Sequence, residues 1–173
     1  MAKLGTERTA VQNPLVQYAS EIGWKHISQE EAEKLRGGRT GLIFKEVFTN
    51  QISRLNTNFI NNLMIEELIK KIERLPSNKE GNLNAWEYLK GLKTVYVAKE
   101  KRERNVKLID EEIKNNIFQV TDEFEFTNGT YTNRFDIVFL INSLVSSMSI
   151  TIDGSALNST LFFILSTICF ITP

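Results

Sequence analysis

Apolar residues recur along this chain at two different periods, and the change comes about halfway. Leu42, Ile43, Val47, Phe48, Ile52 and Leu55 fall at helical spacing and predict an amphipathic helix over 42–55. A second helix runs through Leu63, Ile65, Leu68, Ile69, Ile72 and Leu75 and stops at Pro76. Upstream, Asn13-Pro14 leads into Leu15, Val16, Tyr18, Ala19 and Ile22, a helix with Asn13 as its cap and Gly23 as its end. Ser28-Gln29-Glu30-Glu31 is a capping box that opens a short helix closing at Arg36-Gly37-Gly38. Residues 77–82 are polar and predict a surface loop. Asn84 and Glu87 repeat the cap-and-acid pattern, which places a short helix at 85–89 with Gly91 as its stop.

Beyond Gly91 the period shortens to that of a strand. Thr94-Val95-Tyr96-Val97-Ala98 is extended by its β-branched content, and 99–104 reads as a charged hairpin connection. Val106-Lys107-Leu108-Ile109-Asp110 alternates, 111–116 is a polar excursion, and 118–126 alternates again. Asn128-Gly129 marks a turn, and a nearly unbroken apolar strand follows at 133–142. Helices that lead and strands that follow with short links predict a mixed α/β (α+β) layer fold, its largely antiparallel sheet covered by helices.

One carboxylate, Asp136, stands at the mouth of that last strand. A buried carboxylate is costly unless a cation or donor offsets its desolvation, so its position asks for a partner. Arg134, two residues earlier on the same strand face, is one candidate; a metal ion is the other. The sole histidine, His26, lies beside Trp24 and fits a solvated turn better than a catalytic dyad. Arg36, Arg39 and the glycines between them make a basic turn, either a phosphate contact or an ordinary solvated loop.

Composition narrows the classes. The chain has 173 residues, enough for one domain with a sizeable core, and a formal charge of zero, so any contact with nucleic acid must come from a local basic patch. Cys169 is the only cysteine, which excludes an intramolecular disulfide and a cysteine-based zinc site and fits a reducing, cytoplasmic setting. The first residues carry no apolar run of a signal peptide. Charge is unevenly placed: of 21 basic and 21 acidic residues, only Asp153 lies beyond Asn142.

Several pieces, taken in order, resemble the N-terminal nuclease region of the R subunit of type I restriction-modification enzymes. They are Thr6-Glu7-Arg8 with Val11-Gln12-Asn13-Pro14-Leu15; Gly23-Trp24; Leu55-Asn56; Gly91 before a strand; Val106-Lys107-Leu108-Ile109-Asp110; Asn115-Asn116-Ile117-Phe118-Gln119-Val120; and Asn133-Arg134-Phe135-Asp136-Ile137-Val138-Phe139-Leu140-Ile141-Asn142. The last is the most specific. The resemblance implies a PD-(D/E)xK restriction-endonuclease-like mixed sheet flanked by helices, which cuts DNA with Mg2+ and is joined in the whole subunit to an ATP-driven translocase. It implies DNA and the methyltransferase and specificity subunits as partners, and no membrane. Asp136 takes the family's catalytic, metal-binding position. Glu7 matches a helix acid near the family's site, and equally serves as a helix-dipole partner.

The second half of the motif does not carry over. The acid-x-lysine expected in the next strand falls, without gaps, on Ile150 and Ile152, which can neither bind a metal nor steady a charge. Asp153 from a shifted register, or Lys107 from a neighbouring strand, are the remaining substitutes. The glutamine-tyrosine helix motif of such nucleases is also missing, since 143–173 holds neither residue. Residues 1–142 are therefore read as the nuclease-like domain, incomplete at its C-terminal side. Residues 143–173 are read as a divergent apolar tail from an altered reading frame or truncated gene, the competing origin being an in-frame tail that adds a strand and a helix. The tail's apolar run, 161–171, is well short of the roughly twenty residues of a membrane span. No glycine-rich loop ending in Lys-Ser/Thr occurs, so ATP belongs to the absent motor. The expected product is an inactive nuclease scaffold; the alternative is a non-catalytic domain that docks on DNA or on the partner subunits.

Overall fold

The computed structural model describes residues 11–76, 78–127 and 129–149, so Glu7, Ile150, Ile152, Asp153 and the run at 161–171 lie outside the described residues. Helix α1 spans Asn13–Glu21 with Pro14 in its first turn. Its cap is Gln12, so Asn13 is already helical and not the cap the sequence suggests. Gly23, at φ +98°, ends the helix while Trp24 N–H bonds back to Ala19 O at 2.9 Å. Strand β1, Lys25–Ile27, follows directly. Ser28 then caps α2, Gln29–Leu35, by accepting from Glu31 N–H, as the capping box predicts.

Helix α3, Lys45–Leu55, begins later than its apolar pattern, because the Phe44 backbone is held from outside. Ser143 Oγ accepts from Phe44 N–H at 2.5 Å and donates to Phe44 O at 3.1 Å. Helix α4, Asn62–Glu73, is capped by Asn61 through Met64 N–H. Helix α5, Lys79–Leu89, is longer than the sequence suggests and is capped by Asn78, not Asn84. Gly81, which looks like a loop glycine, sits buried in its first turn, where an added Cβ would lie 1.6 Å from Pro76 O.

The strands make two sheets. The main one has the order β1, β4 (Phe118–Thr127), β5 (Thr132–Ile141), β6 (Leu144–Ser149). Here β1 runs parallel to β4, and the other neighbours are antiparallel. A separate two-stranded ribbon pairs β2 (Thr94–Val97) with β3 (Arg102–Asn105). The mixed α/β class stands, while two local expectations change. Part of the charged connection at 99–104 is itself strand β3. Residues 106–110 are not a strand: Val106 and Leu108 are 1% exposed, so their alternation records burial, but the backbone of Lys107 and Leu108 is held by side chains. Asn56 pairs with both Lys107 N–H and Lys107 O, each at 2.9 Å, and Asn142 Nδ2 donates to Leu108 O at 2.8 Å.

Helices cover both faces of the main sheet. Ala19 of α1 packs on Val120 and Ile137, with Val16, Trp24 and Phe139 around them. On the other face Ala32, Phe44 and Val47 meet Phe124, Phe135, Val138 and Leu140. A third cluster joins α3 and α4 to Val106, Leu108 and Leu144. Each fully buried Leu or Ile stabilises by about 1.5–3 kcal/mol. The turn between β5 and β6 is Asn142-Ser143, both at positive φ (52° and 71°), a two-residue hairpin of the type that matches strand twist.

Candidate functional site

Asp136 lies in the middle of β5, half-buried between buried Phe135 and Ile137. The β4–β5 register pairs Asp122 with Ile137 and Phe124 with Phe135, which leaves Glu123 and Asp136 facing at one level. This level is a pivot in the hairpin. Val120 and Ile137 pack under α1 on one side of it, whereas Phe124 and Phe135 pack under Ala32 and Phe44 on the other. Residues two apart on a strand normally share a face, so the ribbon turns over between them. Glu123 absorbs the turn by adopting φ +55°, a conformation that costs an ordinary residue about 1–2 kcal/mol.

The charges around the pivot are arranged in pairs. Arg134, the partner the sequence offers to Asp136, directs its guanidinium across the ribbon to the Glu123 carboxylate. Glu123 is 6% exposed, and a buried carboxylate needs such a cation. His26 is not in a solvated turn but in β1, opposite Val120, where Nε2 lies 2.9 Å from Asp122 Oδ1. Strand β1 has three residues, too short for a periodic signal, which is why sequence reasoning missed both the strand and the histidine's partner. Two separate pairs, Arg134–Glu123 and His26–Asp122, thus lie on the hairpin levels at and next to Asp136; of these residues the sequence had singled out Asp136, His26 and Arg134.

The basic turn resolves into two unlike arginines. Arg36 is 2% exposed, and its guanidinium donates to Gly41 O at 3.2 Å and to Glu125 O while lying 4.0 Å from the Phe124 ring centroid. Burial holds its pKa below the ordinary arginine value. It is a fold anchor and cannot reach a phosphate. Arg39 is exposed and pairs with Glu125 at 2.8 Å and with Glu33 at 3.4 Å.

Magnesium is held by one or two carboxylates plus several waters. Among the described residues no three His, Cys, Asp or Glu side chains converge as an ion cage. By register, the acids nearest Asp136 are Glu123, tied to Arg134, and Asp122, tied to His26. Among the described residues, both of these neighbouring acids are thus already engaged by other side chains. Lys107, the substitute for the missing lysine, leans to Asp110 at 3.4 Å.

A family model described as the type I restriction enzyme R protein N terminus matches residues 5–148 of the chain. The chain belongs to that family. No curated protein matches it. For this R-protein N-terminal region, the match runs past Asn142 to residue 148 and so takes in most of β6, Leu144–Ser149. The low-charge stretch therefore begins within the sheet and within the matched region. Among the described residues of the R-protein region, no helix is long and apolar enough to cross a membrane.

Proposed function

We propose that this R-protein N-terminal region is a nuclease scaffold that binds DNA and its partner subunits but does not cut DNA. The observation that carries the reading is the Arg134–Glu123 pair beside Asp136, which occupies the one acid that the register brings level with it. The sequence supports it independently: hydrophobic Ile150 and Ile152 stand where the acid-x-lysine of the motif is expected. Without the second acid an ion is poorly held, and without the lysine the attacking water lacks a neighbouring positive charge. The role left to the region is positional. It contributes the folded N-terminal layer through which the methyltransferase and specificity subunits and the DNA are engaged, with ATP-driven movement belonging to a motor.

The test is plasmid cleavage with magnesium, comparing the full chain with Asp136→Ala. Background-level cutting by both proteins is the expected result. Magnesium-dependent cutting that Asp136→Ala abolishes overturns the reading and makes Asp136 a working metal ligand.

A further inference from the structure

The β2–β3 ribbon carries a charge that the rest of the chain does not. Residues 90–107 hold seven cations, Lys90, Lys93, Lys99, Lys101, Arg102, Arg104 and Lys107, against two acids, Glu100 and Glu103, within a chain whose formal net charge is zero. Part of that charge is internally balanced. Lys93 pairs with Glu87 at 2.6 Å and Lys107 with Asp110 at 3.4 Å. Arg102 and Arg104 share one acid, Glu100, at 2.6 and 3.3 Å. A single carboxylate cannot neutralise two guanidinium groups, so the pair stays cationic. Lys99 and Lys101 flank Glu100 in the exposed loop that joins the strands, and no acid pairs with them among the described residues. Lys101 sits at φ +53°, the residue that lets the ribbon fold back, so its place at the tip is set by the backbone.

The geometry points to the tip of this ribbon, Lys99, Lys101 and Arg102, as a docking surface for the phosphate backbone of duplex DNA. A two-stranded ribbon is narrow enough to enter or track a DNA groove, and three side chains at its end can meet successive phosphates. The ribbon is fixed at both ends, since Val97, paired with Arg102 beside the loop, is 4% exposed, and Val106, just past the base, is 1% exposed with its N–H bonded to Lys93 O at 2.9 Å. A rigid stem with a cationic end suits backbone contact, which needs position and charge but no base-specific chemistry. The inference rests on the DNA-binding part of the proposed function and is independent of whether the region cuts.

Fluorescence anisotropy with a labelled mixed-sequence duplex in EDTA tests it, because chelation removes cleavage from the measurement. The full chain is compared with Lys99→Gln/Lys101→Gln, with the triple variant that adds Arg102→Gln, and with Lys34→Gln on α2 as control. The wild type is expected to bind with a steep salt dependence. The triple variant is expected to bind on the order of tenfold or more weakly, with the slope of log K against log salt reduced by about three units. The double variant keeps the Arg102–Glu100 pair and should lose about two units. Unchanged melting temperatures establish that the variants are folded. Binding by both variants equal to that of the control, or no binding by the wild type at low salt, overturns the proposal; magnesium-dependent cutting, read separately, overturns only the silent-nuclease reading.

Discussion

Arg134 pairs with Glu123 across the β4–β5 ribbon, at the level where that ribbon turns over beside Asp136. The pair joins an exposed guanidinium, 61% accessible, to a carboxylate that is nearly inaccessible. Removing the cation leaves the acid buried with its charge uncompensated, while removing the acid leaves a cation that water can solvate. Arg134→Ala should therefore destabilise by about 1–3 kcal/mol, and Glu123→Gln by less. Urea midpoints of the two variants check the order. Equal losses would mean that the uncompensated buried charge does not set the cost at this position.

Asn142 is the polar centre of the fold and should be its most sensitive single residue. It is 0% exposed; its Nδ2 donates to Leu108 O and Asn116 Oδ1, and its Oδ1 accepts from Ile117 N–H, all at 2.8 Å. Asn142→Ala takes this partner from the buried Leu108 O and from the half-buried Ile117 N–H and Asn116 Oδ1, and should cost about 3 kcal/mol. Asn142→Gly relieves the positive φ but not the lost bonds, so it should recover only about 1 kcal/mol of that loss. Chemical denaturation of both variants separates the two contributions.

The sequence predicts this region unevenly, for physical reasons. Strands β4 and β5 are legible because ten-residue alternating or apolar stretches have few alternatives. The segment around Val106 and Leu108 is misread because burial every second residue looks like a strand, while Asn56 and Asn142 supply the partners that a neighbouring strand would have supplied. Helix α5 is misread because a glycine chosen for close approach to Pro76 resembles a loop glycine. At the candidate site Asp136 is legible from its isolation in an apolar strand. Glu123 is not, because its pairing with Arg134 depends on a register and a left-handed residue that no local pattern encodes.

Arg36 and Gly41 make a joint prediction. An added Cβ on Gly41 would lie 2.0 Å from Arg36 O, and the Gly41 carbonyl is itself an acceptor for the Arg36 guanidinium. Gly41→Ala must move backbone and should destabilise by about 1–3 kcal/mol. Arg36→Lys keeps charge but loses the planar stack on Phe124 and the forked donation to Gly41 O and Glu125 O, and a similar loss is expected. The two changes act on one contact, so the double variant should lose less than the sum of the singles, as a double-mutant cycle in urea would show.

Acid should loosen the segment before the sheet through Asp110. Its carboxylate accepts from the Glu112 N–H at 2.9 Å and from Lys107 Nζ at 3.4 Å. The Glu112 hydrogen bond, opposed by partial desolvation and helped by Asn115 and Lys107, holds its pKa below the ordinary 3.8. A depressed folded-state pKa means that the unfolded chain takes up the proton first. The contribution to stability is therefore present above the ordinary value and disappears as pH falls through the folded one. Melting temperature measured against pH should show wild type above Asp110→Asn at neutral pH, with the gap closing below the ordinary 3.8. Because Asn116 also bonds Asp110 N–H and Asp110 O, each at 2.9 Å, the loop backbone keeps its anchor in either protonation state. A gap that stayed constant into strong acid would assign the loss in Asp110→Asn to packing and not to charge.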